Sequence, residues 1–142
     1  MDERDKRILS VLLADARTTY SALAKTLSIS EAAIRKRVRN LETSGVIQRY
    51  TLHVDPSALG FDACAIIGID TDPDALARVQ GEVRRLKGVR YTSLSSGDHM
   101  LVFGAWCKDM PELRRMVSHV KSLRGVKKVC PAIMQKSLEY CD

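Results

Sequence analysis

Four basic side chains, Arg35, Lys36, Arg37 and Arg39, crowd into five consecutive positions. That density suits the phosphate backbone of a nucleic acid, although a solvated helix face has the same composition. Other chemistry is sparse. The three histidines, His53, His99 and His119, show no spacing to a serine, cysteine or aspartate that would pair a nucleophile with a base and an orienting partner. Cysteines at 64, 107, 130 and 141 form no CxxC pair and have no neighbouring histidine. They read as reduced, mostly buried thiols rather than as a zinc site. Neither a catalytic centre nor a metal centre is expected, and no cofactor.

The chain has 142 residues, 45% of them hydrophobic, and a formal net charge of +6. This is the composition of a folded protein with room for one ordinary domain or two small ones. Up to Val54 the sequence carries ten Lys and Arg against six Asp and Glu, and beyond it thirteen against eleven. The basic excess is therefore concentrated at the front. No apolar run reaches the roughly 18 residues of a membrane span, and the charged start has no signal-peptide core. A soluble protein of the cytoplasm is expected, without a membrane partner.

Residues 1–45 read as three short helices. Asp2 can cap the first, whose apolar positions Ile8, Leu9, Leu12 and Leu13 recur at helical spacing. Thr19 or Ser21 can cap a second that carries Leu23, Ala24 and Leu27 inward. Ser30 caps a third, with Ile34, Val38 and Leu41 on one stripe and Gly45 as its stop. Only Ser28 and Ile29 separate the second and third helices, so the two must cross steeply, as in a helix-turn-helix. Ala24 supplies the small residue at the crossing.

On a helical wheel of the third helix, Ala32, Lys36, Arg39 and Thr43 fall opposite the apolar stripe, with Arg35 and Asn40 flanking. Glu31 and Glu42 lie beside the stripe and read as partners of Arg37 or of neighbouring helices. A helix presented this way to a major groove reads base edges with its N-terminal half. Ala32 and Ala33 suit a thymine methyl, and Lys36 the acceptors of guanine. Arg35 and Arg39 reach phosphates, with Thr19, Tyr20, Ser21, Ser30 and Asn40 as further contacts. Double-stranded DNA is the expected partner.

The remainder repeats itself. A shift of 37 positions carries Leu76, Val79, Val83, Leu86, Gly88 and Val89 onto Leu113, Met116, Val120, Leu123, Gly125 and Val126. It also carries the apolar strand 63–70 onto 100–107. Two copies of strand, helix, turn and strand give βαββαβ, a ferredoxin-like sheet with both helices on one face. The strands 65–69 and 101–106 are apolar at consecutive positions, so both sheet faces want cover. A second copy of the chain is expected over the face the helices leave open. Between the two parts, 46–54 reads as a strand broken by Asp55, Pro56 and Ser57. The expected class is thus α+β, with a three-helix helix-turn-helix domain at 1–45. A linker strand and hinge follow at 46–61, then a ferredoxin-like domain at 62–142.

With these elements in place, the run Ile34-Arg35-Lys36-Arg37-Val38-Arg39-Asn40-Leu41-Glu42, followed by Ser44-Gly45-Val46-Ile47, the βαββαβ unit and the Ser96-Gly97-Asp98 loop resemble the Lrp/AsnC transcription regulators over essentially the whole chain. The resemblance implies a prokaryotic, often archaeal, regulator that binds pseudo-palindromic promoter sites. It also implies dimers built through the C-terminal domain, assembly to tetramers or octamers, and amino-acid effectors bound between dimers. It places the effector at Gly97, Asp98, His99 and Met100 and at Val129 and Pro131 of the last strand. The family's loop reads Gly-Asp-x-Asp, and its second acid helps hold an effector's amino group. Met100 stands there in this chain, and Val129-Cys130-Pro131 replaces the threonines common in the last strand. Without a charged partner an ammonium group loses hydration uncompensated. No tight free amino-acid ligand is therefore expected.

The resemblance leaves one alternative, because relatives on the same architecture decarboxylate sirohaem and Cys130-Pro131 is a dipeptide found at haem-sensing sites. Ser28 replaces a glycine frequent in the helix-turn-helix turn, which costs about 1 kcal/mol if Ser28 is left-handed.

Overall fold

The computed structural model describes residues 1–134. Its contacts divide the chain into two units, Met1–His53 and a second that begins at Val54.

In the first unit, α1 (Glu3–Ala14), α2 (Tyr20–Leu27) and α3 (Glu31–Thr43) follow the capping signals of the sequence. Asp2 and Asp5 form a reciprocal capping box on α1. Thr19 accepts from the Ala22 amide and Ser30 from that of Ala33. Ile8, Leu12, Leu23, Ile34, Val38 and Leu41 make the core. Leu13, expected on the buried stripe, is exposed. Ser28 does adopt the left-handed conformation, at φ 54° and ψ 45°. This turns the chain within two residues, and the Ile29 amide donates to the Ala24 carbonyl at 3.1 Å. Gly45, with φ +74°, ends the third helix as expected.

The expected strand at 46–54 does not form. A strand needs a ladder partner, and among the described residues none is paired with 46–54. Ile47 packs on the helical core, and the Tyr50 hydroxyl donates to Oε1 of Glu42 at 2.9 Å.

The second unit is the βαββαβ sheet: β1 (Ala63–Thr71), α4 (Leu76–Val83), β2 (Val89–Leu94), β3 (Leu101–Cys107), α5 (Met110–Ser122) and β4 (Val126–Met134). The strand order is β2-β3-β1-β4, all neighbours antiparallel. The 37-residue repeat is visible bond by bond. Leu86 N donates to Val83 O and Val89 N to Leu86 O, and the copies Leu123 N to Val120 O and Val126 N to Leu123 O recur. Gly88 and Gly125 occupy the same left-handed position, at φ +91° and +83°.

Ala65, Ile67, Ile69, Leu101, Phe103 and Val129 pack beneath Val79, Val83, Leu113 and Val120 of the two helices. The opposite face is partly tiled by the unit's own side chains. Arg90 stacks over the Trp106 ring, 4.3 Å from its centre, and Phe61 lies 5.9 Å from the same ring. The Tyr91 ring occupies the space beside Gly104 that a Cβ would need. Ile66, Val102 and Trp106 stay half-exposed there.

Candidate nucleic-acid interface and ligand loop

Because Ile34, Val38 and Leu41 bind α3 to its core, the opposite side of the helix is held outward. Ala32, Arg35, Lys36, Arg39 and Asn40 are exposed, and Ala33 is half-buried. Thr19 and Ser21 are exposed at the start of α2, and Tyr20 is half-buried between them. Thr19 and Ser30, both read as backbone contacts, already serve as caps; each oxygen accepts a helix N–H while its hydroxyl proton remains a donor.

The four clustered cations divide into three kinds. Arg37 turns away from the outer face, and its Nη1 donates to Asp2 and Asp5 at 2.7 Å each. The expectation that Glu31 or Glu42 would partner it is corrected: Glu31 pairs with Arg35 at 2.9 Å, and Glu42 with Tyr50. Arg35 is further held over the Tyr20 ring, 5.1 Å from its centre. Among the described residues, Lys36 and Arg39 pair with no acid, so their charges face outward uncompensated.

In the second unit the loop between β2 and β3 is anchored by Asp70, a residue that no sequence signal singles out. Met100 N donates to Oδ1 of Asp70 on β1 at 3.4 Å, and Nδ1 of His99 lies 3.2 Å from Oδ2 of the same carboxylate. The His99 ring fills the space beside Gly68 where a side chain would stand. Gly97 and Asp98 are exposed, and Gly97 N donates to the Ser95 hydroxyl at 3.1 Å.

The strand register separates the other two residues expected at this site. Val129 pairs with Ile69 and belongs to the core under the helices, and Pro131 pairs with Ile67 on the same side. By strand alternation, Cys130 opposite Gly68 and Lys128 opposite Asp70 share the His99 face. Val129 and Pro131 are therefore not brought to the loop. A period-two strand read one residue out of register exchanges its two faces, so the side that Val129 and Pro131 take is decided by the register and not by the strand's own sequence. Asp70 is concealed because it follows an apolar run and its partners lie 29 and 30 residues ahead.

Two helices joined by a turn of three residues, the second presenting an outward cationic face, and then a separate βαββαβ unit are the features of a helix-turn-helix DNA-binding protein with an appended ferredoxin-like domain. Family models agree with both halves: winged helix-turn-helix DNA-binding matches residues 1–48 and the Lrp/AsnC ligand binding domain residues 64–139. The chain belongs to the Lrp/AsnC family and is a DNA-binding transcription regulator.

It is 44% identical over 140 residues to the HTH-type transcriptional regulator LrpA of Pyrococcus abyssi, covering 98% of this chain and 99% of that protein. It is 32% identical to LrpA1 of Halobacterium salinarum, covering 97% and 98%. Among solved structures, E. coli AsnC superposes with a TM-score of 0.83 at 22% identity, over 100% of this chain and 97% of that one. The Mycobacterium tuberculosis leucine response regulatory protein gives 0.84 at 24%, over 99% and 96%. A Neisseria meningitidis regulator solved as an L-Met complex gives 0.85 at 22%, over 99% and 93%. These likenesses favour regulation over the tetrapyrrole-enzyme alternative.

Proposed function

We propose that this regulator binds pseudo-palindromic promoter sites as a dimer or higher assembly, with α3 in the major groove. Ala32, Ala33 and Lys36 read bases, and Arg35 and Arg39 hold phosphates together with Thr19, Tyr20, Ser21, Ser30 and Asn40. The observation that carries this is the pair of uncompensated charges, Lys36 and Arg39, on the face of α3 opposite Ile34 and Val38. Lys36→Ala is expected to weaken binding and relax preference at one base position, whereas Arg39→Ala weakens specific and random duplexes alike. Equal loss on both kinds of duplex for Lys36→Ala would remove it from the readers.

Dimerisation uses the half-exposed face around Ile66, Val102 and Trp106, with 46–61 as the connector between domains. Light scattering of the full chain at micromolar concentration is the check, and a monomer would refute the assembly. In keeping with the DNA partner, the site of action is the cytoplasm.

The ligand, where one binds, meets the loop 97–100. The Neisseria relative was solved with L-Met. Here the Asp70 carboxylate is already engaged by His99 and Met100, and Met100 replaces the family's second acid. The site therefore favours a ligand more apolar than a free amino acid or lacking its ammonium group. Calorimetry with the twenty amino acids tests this, and micromolar binding of any one would overturn it.

A further inference from the structure

We infer that Glu31 is a specificity-determining residue of the DNA-binding surface, its carboxylate held by Arg35 in the free protein and handed to a cytosine 4-amino group on the cognate site. This rests on α3 being the recognition helix, as proposed above.

Glu31 is the first residue of α3, directly after the Ser30 cap, and helix side chains tilt toward the N-terminus. It therefore leads the part of the helix that approaches base edges. Its side chain is about half-exposed, at 49%, and its partner Arg35 lies one turn on, at 2.9 Å. The Tyr20 ring, from the start of α2, supports the same guanidinium. The three groups form a small cluster at the starts of α2 and α3, with Glu31 beside the core stripe and exposed. An exposed pair of this spacing contributes little to folding and is easily opened.

The consequence on DNA is asymmetric. Of the two acids on α3, Glu42 lies near the C-terminal end with its oxygen on the Tyr50 hydroxyl, so Glu31 is the one negative charge in the N-terminal half. When Arg35 leaves for a phosphate, the Glu31 carboxylate is left in a strongly negative groove. On a random sequence nothing offsets that. Where cytosine stands opposite, its N4 amino group is a donor in the major groove, and a carboxylate is the acceptor that fits it. Ala32 and Ala33 have no hydrogen-bonding side chain, and Lys36 only donates. Glu31 is thus the single side-chain acceptor among the leading residues Glu31, Ala32, Ala33 and Lys36. Discrimination here comes from penalising wrong sites as well as rewarding the right one.

The test is selection of binding sites from a pool of random duplexes by the full chain and by Glu31→Gln and Glu31→Ala, with affinity for an unselected duplex measured over a salt series. The wild type is expected to select a motif with cytosine at one symmetry-related pair of positions. Glu31→Ala loses that preference while keeping the rest of the motif, Glu31→Gln, which keeps an acceptor oxygen but no charge, weakens it, and both bind the unselected duplex about 2- to 5-fold more tightly. Adding Arg35→Ala to Glu31→Gln reduces that gain, because part of it comes from the cation that Glu31 no longer holds and the rest from the carboxylate removed from the negative groove. An unchanged motif, with specific and random affinities moved by one factor, would reduce Glu31 to a helix-stabilising role and overturn the inference. A wild type that selects no motif would instead refute the base-reading assignment of α3 on which it stands.

Discussion

Arg37 and Asp5 stand 32 residues apart in the chain, yet Nη1 of the guanidinium meets Oδ1 of the carboxylate at 2.7 Å. The same nitrogen reaches Oδ2 of Asp2, so one arginine of α3 closes over both members of the α1 capping box. One member of the basic cluster is thereby spent on orienting α3 against α1.

This bridge makes the first unit sensitive to acid. The Asp5 backbone N–H and then the Arg37 side chain hold the Asp2 carboxyl below its ordinary 3.8. A carboxylate with a lowered folded-state pKa stabilises above the unfolded value and loses that contribution as pH falls through the folded one. Thermal melts should therefore show Arg37→Ala less stable than wild type at pH 6, with the difference shrinking below about pH 3.8. A constant difference down to pH 2 would argue that the loss comes from packing alone.

Ser28 offers a gain in stability. Its φ of 54° is a left-handed conformation that glycine adopts freely and serine does not. Ser28→Gly is expected to raise the unfolding free energy by up to about 1 kcal/mol, measured in denaturant titrations. Destabilisation would indicate that the entropy glycine adds to the unfolded chain outweighs the relief.

Two glycines of one repeat should respond with opposite signs. Gly81 sits inside α4 with nothing within 4 Å of an added methyl, so Gly81→Ala should stabilise by about 0.5–1 kcal/mol. Gly88 has φ +91°, and an added Cβ would lie 2.5 Å from the Trp106 carbonyl oxygen, which is backbone and cannot move aside. Gly88→Ala should cost about 1–3 kcal/mol. Calorimetric scans of the two variants side by side decide it, and shifts of the same sign would contradict the account.

Thiol chemistry should follow burial. Burial, and after it the nearby Glu112 charge, pushes the Cys107 thiol up to about 11. At pH 8 it remains a thiol, and thiols are poor nucleophiles. Alkylation mapped by mass spectrometry should leave Cys107 unmodified in the native protein and label it on unfolding; rapid native labelling would show that β3 opens.

Much of this protein is written locally. The caps Asp2, Thr19 and Ser30, the stripes on α1 to α3, and the 37-residue echo from Leu76 to Val126 each need only residues a few positions apart within a segment, so the amino-acid sequence by itself makes them legible. The family resemblance rests on the same local strings. Features that depend on which surfaces meet are not legible in this way. The acids that hold Arg37 belong to the start of α1, whereas its own helix offers only Glu31 and Glu42 as candidates. Asp70 carries no local mark of its role as the anchor of His99 and Met100. The faces of Val129 and Cys130 are easily exchanged because a strand's side is set by its register with β1. The segment 46–54 has the composition of a strand but has no ladder partner among the described residues. Helix periodicity and capping are properties of a single segment, whereas a side chain's partner, and whether a strand exists at all, are properties of the surface it meets.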